Sequence, residues 1–355
     1  MSRTPQSPST RAPLGWRAVP ALVAGLTLLL VAMLTAFELP AVHSGPHKVP
    51  IAVAGPQRAA APLAEKLDRA RPGAFDISLV DDARTAQQRI DDREIYGAVV
   101  VGGTPGTAPE VLVAGAASPP VAATLRGLAP ALAPTPAGAT AAVRDLHPLP
   151  AADPNGVGLS AGALPLVLGG YLAAILIVTL LRAPAQRAAT AFGFALTGGF
   201  ALTALLRYGF DVIGGNYLLT SLAVAFSTAA TCWTIMGLRA LLGGPGLGLG
   251  AAMMIFLGNP LSGLAGGPEW LPSGWGTFGQ FLPPGAGGTL LRSMAFFDGA
   301  GSARALLVLA AWLAGGLALF AYGTRRGEPG ARPDGGPADP RASEREEPAA
   351  QVSTP

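Results

Sequence analysis

Between Arg17 and Glu38 the sequence reads AVPALVAGLTLLLVAMLTAF, without a charge. A bilayer's hydrocarbon core is about 30 Å thick, takes about 20 apolar residues of helix to cross, and forces the backbone to satisfy its own hydrogen bonds. The run is therefore a membrane helix or a removed leader. A cleaved signal peptide has an apolar region of about 7 to 15 residues ending at a small-residue site. ELPAVHSG makes a poor site, so residues 18–37 read as an uncleaved first transmembrane helix. Five further stretches qualify: residues 159–181, 188–206, 217–238, about 247–264, and 305–324. The fifth span of the six is the weakest, because GGPGLGLG at its entrance lowers helix propensity. Only 13% of the 355 residues are charged, against about 25% in an ordinary soluble domain. Those charges gather in residues 1–17, in 38–153 and after Tyr322, leaving long uncharged intervals between.

Orientation follows from the short loops, where cationic residues are retained on the cytoplasmic side. Six spans bring both termini to one face, together with Arg3, Arg11, Arg17, Arg182, Arg187, Arg239, Arg325 and Arg326. The opposite short loop, RYGFDVIGGN, balances Arg207 with Asp211. The expected organisation is a cytoplasmic N-terminal tail at 1–17, a first span at 18–37, and an extracytoplasmic domain at 40–158. A five-helix transmembrane domain at 159–324 follows, with an extracytoplasmic interfacial loop at 265–304, and then a cytoplasmic tail at 325–355. That tail is polar, almost free of apolar residues, and expected to be disordered. The setting is a bacterial inner (plasma) membrane.

Residues 40–158 alone carry the patterning of a soluble fold. PIAVAG reads as a strand, QRAAAPLAEKLDRARPG as a helix with Leu63, Leu67 and Ala70 on one face, and FDISLV as a strand pointing Phe75, Ile77 and Leu79 to one side. Asp81 and Asp82 can cap a second helix, DARTAQQRI, which turns Ala83, Ala86 and Ile90 inward. YGAVVVGG and EVLVAG read as further strands joined by a Gly/Pro turn. A helix around VAATLRGLA, an Ala/Pro/Gly-rich loop and a strand at AAVRDLHPL complete the set. Alternating strands and helices make a small α/β module. The fold class is thus an α-helical polytopic membrane protein of six transmembrane helices, with an extracytoplasmic α/β domain between the first and second.

The stretch PEWLPSGWGTFGQFLPPGAGG between the last two spans is built from Gly, Pro and aromatic rings. Trp270, Trp275, Phe278 and Phe281 suit headgroup depth, while Pro272, Pro283 and Pro284 oppose a continuous helix. The segment is expected to return along the outer interface.

Residue types that carry chemistry form no convincing constellation. His43 and His47 have the i, i+4 spacing of a helical metal pair, but Gly45 and Pro46 between them spoil that helix, and a solvated linker is the better reading. His147 stands alone before Pro148. Cys232, the single cysteine, excludes internal disulfides and thiol-rich metal sites, and reads as a small core residue. No Gly-x-x-x-x-Gly-Lys-[Ser/Thr] phosphate loop occurs. The spans lack the acidic or basic residues of a proton relay. The net charge of +3 is topology signal and leaves no nucleic-acid footprint. No catalytic, cofactor-binding or metal-ligating residue is assigned, and no cofactor. Gly169-Gly170, Gly198-Gly199 and Gly315-Gly316 permit close helix approach, either within one subunit or across a dimer seam.

The layout resembles the type-2 permease subunits of ATP-binding-cassette (ABC) exporters. VPIAVAG just after the first span, the stretch DDARTAQQRIDDREIYGAVVV with Ala86, Ile90 and the apolar strand 98–101, and GNPLSG with WLPSGWGTFGQFLPPGAGG beyond it are similar to that family's pattern. The resemblance covers about residues 15–325 and rests on structural rather than catalytic motifs. It implies a transport role without an ATP-binding site of the chain's own, a separate cytoplasmic ATPase as partner, and a homo- or heterodimer of permease subunits in the lipid bilayer. It also implies that the segment from Arg182, RAPAQRAATAFG, meets the ATPase, although topology explains Arg182 and Arg187 as well. The alternative is a membrane-anchored scaffold or accessory protein of the phage-infection or secretion-associated type, without transport activity; an enzyme ranks third.

Overall fold

The computed structural model describes residues 15–102, 109–132 and 141–327. The expected tail beyond 327 and the Ala/Pro/Gly-rich loop at 133–140 lie outside the described residues. After a 3-10 turn at Trp16–Ala18, helix α1 runs Val19–Val42. The sheet domain follows in the order β1 (Val49–Ala54), α2 (Gln57–Ala70), β2 (Phe75–Val80), α3 (Ala83–Asp91), β3 (Gly97–Val100), β4 (Glu110–Val113), α4 (Pro119–Leu132) and β5 (Ala142–Asp145). Its five strands lie in the order β2-β1-β3-β4-β5. All neighbours are parallel except β3 and β4, which pair antiparallel.

Both sheet faces are covered, which explains the apolar β1 and β3. On one face Val49, Ile51 and Val53 meet Leu67 of α2 and Leu125 of α4. On the other, Ala52, Ala98 and Leu112 meet Ala86 and Ile90 of α3. Asp82 caps α3, its side chain accepting from the Thr85 N–H at 2.7 Å, as its position predicts. Two inward assignments differ. Ala70 is exposed and Ala60 takes its place in the α2 stripe, one turn back from Leu63, Ala64 and Leu67. Leu79 is 46% exposed, on β2 at the edge of the sheet.

The helical part comprises α5 (Val157–Leu180), α6 (Pro184–Ala204), α7 (Tyr217–Leu242), α8 (Gly244–Ala251), α9 (Trp275–Gly279), α10 (Pro283–Phe296) and α11 (Ala303–Arg326). Asp153 fixes where α5 begins: buried, it accepts from the N–H groups of Val157 and Gly158 at 2.8 Å each. α7 lies at the centre, against α5, α6, α10 and α11. From each glycine pair one member packs and the other does not. A Cβ on Gly199 would lie 2.7 Å from Ala225, and one on Gly316 would lie 2.6 Å from the backbone of Trp233 and Thr234. Gly170 faces Thr231, whereas Gly169 and Gly315 have nothing within 4 Å. Close approach of helices inside one subunit accounts for half of each pair.

Among the described residues, five helices are long and apolar enough to cross a membrane: Trp16–Val42, Val157–Leu180, Pro184–Gly209, Tyr217–Leu242 and Ala303–Arg326. The chain is thus a membrane-embedded, multi-pass protein with a small mixed α/β domain. The expected span at 247–264 is instead the shorter apolar helix Gly244–Gly258, α8 continued by a π-helical segment from Ala252. At 1.5 Å per residue it reaches only about 22 Å. Its end is set by Asn259-Pro260, since a proline ring cannot continue the ladder, and by Pro284, which a Cβ on Gly258 would strike at 2.6 Å. The stretch beyond also departs from expectation. Pro283 and Pro284 begin a helix rather than prevent one, proline being suited to the first helical turn. The GAGG after them is buried, with Gly287 against Ser227 of α7 and Gly288 against Leu264. The segment at 265–304 is therefore a helical return packed into the bundle, with only Phe278 and Phe281 strongly exposed among its aromatic rings.

Candidate functional site

The turn from α3 to β3 reads Asp92-Arg93-Glu94-Ile95-Tyr96. Ile95 is buried in the sheet domain, the Tyr96 N–H donates to Pro50 O at 2.9 Å, and Arg93 takes a positive φ of 59°. This kink holds Arg93 and Tyr96 towards the returning segment 264–300. There the Tyr96 hydroxyl donates to Glu269. The Arg93 guanidinium donates to Ser293 Oγ and, at 3.2 Å, to Thr289 O, and lies 5.1 Å from the centre of the Phe297 ring. Burial and the neighbouring Glu269 carboxylate push the Tyr96 phenol above its ordinary range, while burial lowers that of Arg93.

Other contacts fasten the same two parts. Ser118 Oγ donates to Gly266 O at 2.5 Å, and the N–H groups of Gly45 and His47 donate to Trp270 O and Glu269 O at 2.8 and 3.0 Å. His147, solitary in the sequence, has Asp91 Oδ1 at 2.9 Å and Phe296 O at 3.0 Å on its two ring nitrogens, and stacks on Phe297 at 4.3 Å. A neutral imidazole donates to only one of these acceptors at a time. Phe297 itself is buried among Ile90, Ala98 and Leu112, so the end of α10 completes the second face of the sheet. Beneath the junction Arg292 is 4% exposed; one nitrogen donates to Leu264 O at 2.7 Å, and its Nε has no partner. Gln280 ties the return together, donating to Ser262 O at 2.9 Å and accepting from Thr289 Oγ1 at 2.6 Å.

These groups enclose a polar cavity of about 260 Å³, lined by Arg93, Tyr96, Glu269, Gln280, Thr289 and Arg304 among others. Two larger recesses are apolar. One, about 490 Å³, lies between α6, α7, α10 and α11, with Phe192, Leu222, Phe226 and Leu290 in its walls. The other, about 650 Å³, separates α1 from the return and is lined by Leu39, Phe256, Trp275 and Phe278.

No family model, curated protein or solved structure matches this chain. The site is therefore read from its own geometry. His43 and His47 turn their rings to the carbonyls of Leu39 and Gly45, and among the described residues no group of three or more His, Cys, Asp or Glu is placed to hold a metal. Cys232 is buried in α7 with its sulfur 3.9 Å from that of Met236. Arg187 is buried too, donating to the carbonyls of Leu181 and Val178 at 2.9 and 3.2 Å. It thereby satisfies the open C-terminal end of α5, where a cation is favoured.

Sequence reasoning missed Arg93, Tyr96, Glu269 and Arg292. A signal was present for two: between Arg239 and Asp298 the only charged residues are Glu269 and Arg292. An isolated ionisable group in an apolar run is costly and calls for a partner.

Proposed function

We propose that the chain is the permease subunit of an ABC-type exporter, moving a substrate outward with energy from a separate cytoplasmic ATPase. The observation that carries this reading is the attachment of the α/β domain to segment 264–300. That contact supports a reading in which the segment and the domain share one end of the helices. With α7 ending near Arg239 at the other end, α8 and its π-helical extension read as a short further crossing. On that reading there are six crossings, and Arg182, Arg187, Arg239, Arg325 and Arg326 share the end away from the domain. The charge rule then favours a cytoplasmic position for that end and for both termini. A single first span, an extracytoplasmic α/β domain, five crossings and a packed helical return before the last of them is the layout of type-2 permeases. The apolar recess between α6, α7, α10 and α11 supports a route for apolar cargo or a seat for a second permease subunit. The sequence, lacking a phosphate loop, leaves ATP hydrolysis to a partner.

Two measurements test the reading. In a Cys232→Ala background, an impermeant thiol reagent applied to intact cells should label Glu65→Cys on exposed α2 and spare Ala185→Cys at the start of α6. Labelling of Ala185→Cys would reverse the orientation. Purified alone, the chain should hydrolyse no ATP, and export in proteoliposomes should require an added ATPase. Export driven by a proton gradient with this chain alone would defeat the permease reading.

A further inference from the structure

The cavity at the junction has an imbalance of charge that the fold does not use. Arg93 and Arg304 line it, Arg292 lies near enough to feel the charges of Arg93 and Glu269, and among the described residues Glu269 is the sole carboxylate in its wall. Glu269 is engaged by the Tyr96 hydroxyl. Among the described residues, none of the three guanidinium groups has a carboxylate within salt-bridge distance: Arg93 is held by Ser293 and the Thr289 carbonyl, Arg292 by the Leu264 carbonyl, and Arg304 lies over the Phe281 ring at 4.8 Å. A buried charge normally has an ionic partner, and Arg292 is both buried and left with an unpartnered Nε.

The side of the cavity at the start of α11 repeats the imbalance. It is lined there by the exposed Gly301 and Arg304 and by buried Ala305. That helix end carries a partial positive charge and favours anions nearby, yet no acidic residue lies in its first turn and the Ser302 side chain does not cap it. Arg304 adds a full positive charge where the helix least tolerates one. An anion in the cavity would offset the charges of Arg93 and Arg304, which outnumber Glu269 in its wall, together with the bare start of α11, and arginine forks suit the tetrahedral oxygens of phosphate in particular.

We propose that this cavity binds a phosphate group, held by Arg93 and Arg304 at the start of α11, with Arg292 supplying charge from beneath. The ligand joins the sheet domain to the last long helix, because Arg93 comes from the turn before β3 and Arg304 from the first turn of α11. The group belongs either to a phospholipid headgroup or to free phosphate. This site stands whether or not the chain is a permease, since it rests only on the junction.

The full chain, purified in a phosphate-free maltoside detergent, is titrated with inorganic phosphate and, separately, with dihexanoyl phosphatidylglycerol below its micellar concentration. Calorimetry reads the affinity, and the melting temperature without ligand checks the fold. Binding of both probes, weakened at least about tenfold by Arg304→Glu and kept within about threefold by Arg304→Lys, supports the site and shows that phosphate alone suffices. Binding of the lipid only, with the same response to the two variants, supports the site with a headgroup as its ligand. Arg304 is exposed and makes no hydrogen bond, so both variants should melt as the parent does. Absence of binding by either probe, or unchanged affinity in Arg304→Glu, overturns the proposal.

Discussion

α1 and α7 are apolar helices of similar length that meet opposite surroundings. α1 is rich in leucine, and Leu22, Leu26, Leu28, Leu29, Leu30 and Leu34 are all exposed; it touches the rest of the chain mainly near the π-helical segment after α8. α7 is less hydropathic and almost wholly buried, with Ser221, Ser227, Thr228, Thr231 and Thr234 inside the bundle. In water the more apolar helix would be the buried one. In lipid, burial brings no hydrophobic gain, and the central position goes to the helix whose small and hydroxyl side chains allow close backbone approach. Buried Thr231 and Thr234 answer their own hydroxyls by donating to carbonyls one turn back, at 3.1 and 2.7 Å.

The largest test of this contrast uses two neighbouring glycines. Gly316→Leu has to drive a side chain into the α7 backbone, and should cost more than about 3 kcal/mol or abolish folding. Gly315→Leu, with open space around it, should stay within about 1 kcal/mol of the parent. Unfolding monitored by circular dichroism in detergent separates the two; equal losses would break the comparison.

Next in size is the centre of α7. Trp233 is 2% exposed and packs against Phe192 and Phe320, with ring centres at 4.8 and 5.3 Å. Trp233→Ala should cost about 3–5 kcal/mol. Trp233→Phe should cost much less, because the indole N–H has no partner to lose. A Phe variant as damaged as Ala in the same unfolding assay would show that the N–H matters. On α1, the double change Leu26→Ala, Leu29→Ala should shift the unfolding midpoint by less than about 1 kcal/mol. A larger loss would reveal that α1 is seated against another protein rather than lipid. Smallest of all, Thr234→Ala gives up hydrogen bonds to Ala230 O and, at 3.3 Å, to Trp312 O, and should cost about 0.5–1 kcal/mol. A change above about 2 kcal/mol would mean that hydroxyl bonding, rather than small size, holds the centre together.

The sheet domain was legible because its periods are short. FDISLV and DARTAQQRI match a strand and a capped helix within a residue of their observed ends. The first, second, third, fourth and last apolar stretches were legible by composition alone. The stretch at 247–264 was not, because hydropathy continues through Asn259-Pro260 while the helix stops there. PPGAGG misled in the opposite sense: prolines and glycines that break exposed helices here start one and fit it against α7. The junction was least legible. Arg93, Tyr96, Glu269 and Arg292 span about two hundred positions, and only the folded chain brings them together. His147 illustrates the same limit, since its partners Asp91 and Phe296 lie far away on both sides.

The burial of Phe297 between α3 and the sheet has a consequence for the order of synthesis. Ile90, Ala98 and Leu112 leave the ribosome early, whereas the residue that closes over them comes about two hundred positions later. At roughly 5–20 residues per second, the delay is on the order of 10–40 s. For that interval a folded sheet carries an open apolar patch while α5, α6 and α7 are still being inserted. α10 thus acts as a late seal, and a chain released before α10 is made should be recognisable to quality control by that uncovered surface.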